Sequence, residues 1–269
     1  MLGNLKILIH QGKQYIPDVT KAEVPGIFRG RPVISNERVD MNALIELCPT
    51  GAISLYGERR TENGEVSRLP TPNSFHGGAI DMGKCTFCGE CANAFPNKIK
   101  FSKDYKIASN HYAGLTVNAG EDKPITLNPD LIRKEIENYF SGSLKLRQVS
   151  AGGDNSCEME LNACSNVNFD MGRFGIDFVA SPRHADGIVI TGPITENMAT
   201  PLQICYDAIP SPKIIILAGT DAISGGIFAG SKALNRSFID KYKIDLYVPG
   251  NPIHPLTFIN GVLDLIRKK

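Results

Sequence analysis

The second half of the chain alternates between short apolar runs and longer stretches of mixed polarity. Residues 145–149, 176–180, 187–191, 213–218 and 244–248 are strand-length runs rich in Ile, Val and Leu, and the segments between them are long enough for helices. Strands alternating with helices predict a doubly wound, mainly parallel sheet of the α/β class. Just ahead of the first run, Asn128-Pro129-Asp130 reads as a helix start, and Leu131, Ile132, Ile136 and Phe140 recur at helical spacing up to the stop at Ser141-Gly142. The last segment, residues 255–269, places Phe258, Val262, Leu263, Leu265 and Ile266 on an amphipathic helix. Residues before 125 show no such period. They carry turn signals at Val24-Pro25-Gly26, Gly30-Arg31-Pro32, Glu62-Asn63-Gly64 and Phe75-His76-Gly77-Gly78. The expected organisation is a loop-rich domain over 1–125, a linker helix over 126–144 and an α/β domain over 145–269.

Composition narrows the class without changing this outline. A chain of 269 residues, 42% hydrophobic and 21% charged, is ordinary for two globular domains. The longest apolar runs are a few residues, far below the roughly 20 that span a bilayer, so no direct membrane span is expected. The opening MLGNLKILIHQGKQY lacks a charged leader followed by a long apolar stretch and a cleavage site, which implies a reducing, cytoplasmic setting. A formal net charge of +1, with no basic stripe interleaved with aromatics, argues against a nucleic-acid partner.

The cysteines carry the chemistry. Cys85, Cys88 and Cys91 have C-x2-C-x2-C spacing, which in a reducing compartment points to a metal or cluster site rather than disulfides. Ferredoxins with two clusters use the run C-x2-C-x2-C-x3-C-P twice, and the fourth cysteine of each run ligates the cluster built on the other. Cys48-Pro49 supplies that crossed ligand, so Cys48, Cys85, Cys88 and Cys91 make one complete set for a 4Fe-4S cluster. The ligand positions of the other cluster fall on Arg38, Met41, Leu44 and Phe95, and none is a thiol. A zinc ion on the same four thiolates is the alternative; the Cys-Pro step and the small Gly89 and Ala92 favour the cube.

Several short motifs extend the reading. Through Phe28-Arg29-Gly30-Arg31-Pro32 and Phe101-Ser102-Lys103-Asp104-Tyr105 the first half resembles the ferredoxin-like subunit of formate hydrogenlyase and complex I. In the second half, Gly152-Gly153-Asp154-Asn155-Ser156-Cys157-Glu158, Arg173-Phe174-Gly175, Ser181-Pro182-Arg183-His184-Ala185-Asp186, Ser224-Gly225-Gly226 and Val248-Pro249-Gly250 follow in order the pattern of the small subunit of membrane-bound NiFe hydrogenases and the 20 kDa subunit of complex I. The resemblance implies a fusion of an α+β ferredoxin-like domain with a flavodoxin-like small-subunit domain. In that family a proximal 4Fe-4S cluster is held by four cysteines, whose positions here are Asp154, Cys157, Asp221 and Asn251. One thiolate is left, and carboxylate and amide oxygens are poor cluster ligands. One 4Fe-4S cluster in all is therefore expected. Cys164, Cys205 and His254 are conceivable stand-in ligands, although buried cysteines and a histidine near a turn are more often structural. Asp154 and Asp221 together are a conceivable magnesium site, and Arg183 a residue for orienting the crevice or pairing with Asp186.

The resemblance implies an electron-transfer subunit, not catalytic alone, attached peripherally to a membrane through partners: a hydrogenase-like large subunit, the membrane subunits of the same complex, and a soluble ferredoxin as donor. A second reading is a redox-sensing or structural scaffold whose α/β domain is only a binding surface.

Overall fold

A computed structural model describes residues 2–12, 14–55, 58–60, 66–68 and 77–266. The turn expected at Glu62-Asn63-Gly64, the Phe75-His76 part of the next one and the final residues of the last helix lie outside the described residues. After α1 (Leu2–Gln11), the first half is built from short antiparallel pieces. β1 (Pro32–Ile34) pairs with β6 (Ile99–Phe101). β2 (Ile53–Leu55), β5 (Gly78–Asp81) and β7 (Thr116–Asn118) form a three-stranded sheet in the order β2-β5-β7, and β3 (Glu58–Arg60) pairs with β4 (Val66–Arg68). Two short helices, α2 (Met41–Glu46) and α3 (Glu90–Ala94), lie among them. Asp40 starts α2 by accepting the Asn42 and Ala43 amides on its carboxylate, an N-cap that satisfies donors the first turn leaves free.

The second half is one parallel sheet of five strands. β8 (Leu144–Ser150), β9 (Ile176–Phe178), β10 (Gly187–Thr191), β11 (Ile214–Ala218) and β12 (Leu246–Val248) stand in the order β12-β11-β10-β8-β9. Numbered within the sheet this is 2-1-3-4-5, the doubly wound order whose switch point falls between its first and third strands. Every residue of β10 and β11 is buried, which explains their unbroken aliphatic character: a parallel strand covered on both faces has no polar side. α5 (Ser156–Ala163), α6 (Glu196–Asp207), α7 (Thr220–Ser224), α8 (Ser237–Lys241) and α9 (Pro255–Leu265) fill the connections and the chain end, and α4 (Lys134–Phe140) leads into β8.

Two elements differ from the sequence expectation. The helix expected from Asn128 to Phe140 is broken. Asn128 caps a single 3-10 turn, Pro129–Leu131, after which Ile132 and Arg133 are extended and α4 begins only at Lys134. The break aims Arg133 at the sheet, where it pairs with Asp245 at 2.9 Å and donates to the Lys213 carbonyl. The last helix is also not amphipathic: within α9 only Asp264 is exposed. Its outer side is covered by the first half, with the Asn260 amide donating to the Val19 carbonyl at 3.0 Å and Gly261 against Ala108. Both hydrophobic clusters of the protein mix residues from before 125 with residues after 145, Val19 and Tyr105 with Phe258 in one, Leu44 and Ile80 with Ile188 and Ile223 in the other.

Candidate functional site

Four thiols line one apolar pocket. Cys48 follows α2, in a turn where the Cys48 amide donates to the Ile45 carbonyl and Gly51 takes φ +59°. Cys85 follows β5, placed by Asp81, whose carboxylate accepts the Gly83 amide and whose carbonyl accepts the Cys85 amide. From Cys85 the chain curls through Phe87 (φ 54°) and Gly89 (φ 84°), both left-handed, into α3, which carries Cys91 in its first turn. Cys48, Cys85, Cys88 and Cys91 thus share a pocket walled by Leu47, Pro49, Ile53, Ile80 and Phe101. Cys85 is buried, Cys48 and Cys91 half-buried, and Cys88 exposed.

Backbone donors converge on the sulfurs. The Ala52 amide donates to Cys48 Sγ at 3.2 Å and the Phe87 amide to Cys85 Sγ at 3.3 Å. Burial pushes the Cys85 thiol up to about 12, and the neighbouring Cys91, Cys48 and Cys88 add to it; burial and then Cys88 push Cys91 up to about 11. Ionised together in this pocket, the four sulfurs would need a positive partner. Among the described residues no three His, Cys, Asp or Glu side chains meet closely enough to hold a single metal ion; the four cysteines line one pocket. The donor set, its apolar wall and the amides aimed at sulfur fit an iron-sulfur cube, whose potential such hydrogen bonds tune.

Of the four positions at which the sequence places the ligands of another cluster, three hold hydrocarbon and the fourth is Arg38. Leu44 is buried, Met41 lays its methyl against Gly78, and both join Phe95, Ile34 and Ile99 in the core; Arg38 is exposed.

Asp154 and Cys157 follow β8, Asp221 follows β11 and Asn251 follows β12, on the carboxyl rim where sites of open α/β sheets lie. Asp154 is exposed and spends its carboxylate on the Ser156 hydroxyl and amide, which holds its pKa down. Cys157 is buried with its sulfur packed against Gly219; burial, with Glu158, Asp221 and Asp154 adding, pushes its thiol up to about 12. Asp221 is buried, its Oδ1 has no hydrogen-bond partner, and burial followed by Asp154 raises its pKa. Asn251 is half-buried in the turn after Gly250.

Two of the three conceivable stand-in ligands are engaged elsewhere. Cys164 ends α5 and donates to the Glu160 carbonyl; Cys205 is half-buried on α6. His254 caps α9 by accepting the Leu256 amide and packs edge-on against Phe28 and Phe169. Arg183 is exposed, and Asp186 accepts the Lys145 amide.

Two contacts that sequence spacing does not mark join the pocket to the rest of the chain. Thr220, at the start of α7, donates its hydroxyl to the Cys85 carbonyl at 2.8 Å, so the cysteine loop is pinned to the crevice rim. Arg29 lays its guanidinium on Gly89 and donates Nη1 to the Phe87 carbonyl at 3.2 Å. Arg29 stands in the quoted Phe28-Arg29-Gly30-Arg31-Pro32 run, which is the one signal that could have drawn attention to it.

Residues 155–265 match the family model described as the NADH ubiquinone oxidoreductase 20 kDa subunit. A probable membrane-bound hydrogenase subunit, mbhJ, of Pyrococcus furiosus is 34% identical over 120 residues, 45% of this chain and 72% of the relative. Formate hydrogenlyase subunit 7 of Escherichia coli is 34% identical over 151 residues, 54% of this chain and 59% of the relative. An NADH-quinone oxidoreductase subunit of Heliobacterium modesticaldum is 42% identical over 113 residues, 42% of this chain and 65% of the relative.

Proposed function

The chain belongs to the family of the NADH ubiquinone oxidoreductase 20 kDa subunit, and on that premise we propose that it is an electron-transfer subunit of a membrane-associated, hydrogenase-like or complex I-like oxidoreductase. Cys48, Cys85, Cys88 and Cys91 would hold one 4Fe-4S cluster, which when bound supplies single-electron storage. The observation that carries this reading is the shared pocket of four thiols with amide donors on two of the sulfurs. A zinc ion on the same four thiolates is the alternative; the Cys48-Pro49 step and the small Gly89 and Ala92 beside the thiols favour the cube.

The chain's own residues do the rest. The apolar wall of Leu47, Ile53, Ile80 and Phe101 keeps water from the sulfurs. Cys88 forms the exposed side, where a soluble donor such as reduced ferredoxin would approach. Residues 1–125 form a ferredoxin-like domain joined through 126–144 to a small-subunit-like domain over 145–269. The hydrocarbon at Met41, Leu44 and Phe95 supports the loss of the first domain's other cluster. The exchange of three proximal-cluster cysteines for Asp154, Asp221 and Asn251 supports a second domain without one. That domain would dock on a hydrogenase-like large subunit, and membrane subunits of the same complex would tether it, since no described helix is long and apolar enough to cross a membrane.

Electron paramagnetic resonance of the anaerobically purified, dithionite-reduced full chain tests the proposal. One 4Fe-4S signal, abolished in Cys85→Ser, is expected; an unchanged signal in Cys85→Ser overturns the ligand assignment.

A further inference from the structure

Arg29 and Gly89 are a matched pair. A Cβ on Gly89 would stand 2.6 Å from Arg29 Nε and 2.9 Å from Cζ, so a side chain there would push the guanidinium off the turn. Gly89 also sits at φ 84°, where other residues are strained. The guanidinium reaches across the turn to the Phe87 carbonyl at 3.2 Å. It therefore spans the residues on either side of Cys88, the exposed thiol of the pocket.

The charge of Arg29 meets no carboxylate among the described residues, whereas Arg31, two positions on, pairs with both Asp104 and Asp122. A cation held on a cysteine loop by the Phe87 carbonyl is placed to act on negative charge within that loop. A 4Fe-4S cluster on four thiolates is an anion, and taking up an electron makes it more so.

We propose that Arg29 is a positioning residue that raises the reduction potential of the cluster on Cys48, Cys85, Cys88 and Cys91. The inference rests on the cluster assignment above. The step is a one-electron reduction with no bond made or broken: the donor is oxidised by one electron, the cluster accepts it, and the guanidinium favours the added negative charge. Because Arg29 is exposed, solvent and salt weaken the effect. Its removal should shift the reduction equilibrium by roughly threefold to tenfold, tenfold being about 59 mV for one electron.

The experiment is an anaerobic redox titration of the full chain, followed by electron paramagnetic resonance at low and high salt, with iron and sulfide counted in every sample. Arg29→Gln is expected to lower the midpoint potential, Arg29→Lys to lower it less, and the gap between wild type and Arg29→Gln to shrink at high salt. Gly89→Ala, which evicts the guanidinium without removing its charge, is expected to fall between wild type and Arg29→Gln. If Arg29→Gln fails to retain its cluster, Arg29→Lys and the salt dependence of the wild type decide. Equal potentials at equal iron content overturn the inference while leaving the cluster assignment standing. A wild-type chain without iron overturns the assignment, and the inference with it.

Discussion

Replacing Thr220 by valine isolates the hydrogen bond that fastens the cysteine loop to the α/β sheet. Thr220 is fully buried, and its Oγ1 lies 2.8 Å from the Cys85 carbonyl and 3.2 Å from that of Gly250. Valine has nearly the same shape but no donor, so packing is kept while a buried carbonyl loses its partner. An unsatisfied buried acceptor costs about 1–3 kcal/mol. At roughly 2–4 °C per kcal/mol for a chain near this size, melting should fall by about 2–12 °C. Thr220→Ser keeps the hydroxyl and loses one methyl, so its cost is a packing cost of roughly 1 kcal/mol. Stability alone separates the two variants poorly, whereas amide hydrogen exchange separates them well. Thr220→Val should speed exchange across residues 83–91, which the hydroxyl anchors, and Thr220→Ser should leave that segment protected. A valine variant that melts with the wild type, or one that loses stability without faster exchange in the loop, would refute the idea that this bond joins the two halves at the pocket.

Other expectations follow from buried charge. Arg133→Ala strands the Asp245 carboxylate, whose side chain is 5% exposed and keeps only the Ile215 amide; a loss on the order of 3 kcal/mol in urea unfolding is expected, and a loss under about 1 kcal/mol would show that the pair contributes little. Asp221 works against folding at neutral pH. Its folded pKa lies above the ordinary 3.8, so its favourable contribution is complete below 3.8 and lost as pH rises through the folded value. Asp221→Asn should therefore gain on the wild type as pH rises from about 4 toward neutrality in denaturation series; a difference flat with pH contradicts the raised pKa.

The parallel sheet was legible because burial on both faces writes a long aliphatic run into each strand, as in residues 187–191 and 213–218. The grouping of Cys85, Cys88 and Cys91 was legible for a similar reason, since their spacing is local. Where tertiary contacts decide, the sequence misleads or stays silent. Ile132 and Ile136 have helical spacing, yet the helix breaks between Leu131 and Lys134 because Arg133 is held by Asp245, 112 residues away. Asp264 apart, α9 is buried all round, because its outer side is covered by a first half that no local pattern places there. Thr220 has no motif of its own, and the run that contains Arg29 does not mark its role. Their partners are carbonyl oxygens at Cys85 and Phe87, and a backbone acceptor leaves no trace in residue type.

The central claim is that one cluster, and only one, resides in this chain. Iron and acid-labile sulfide counted per chain in anaerobically purified protein test it most directly. The account expects four irons and four sulfides for each chain. Eight of each would place a second cluster in the Asp154–Asp221 crevice or elsewhere, and a single zinc with no sulfide would contradict the cube on Cys48, Cys85, Cys88 and Cys91.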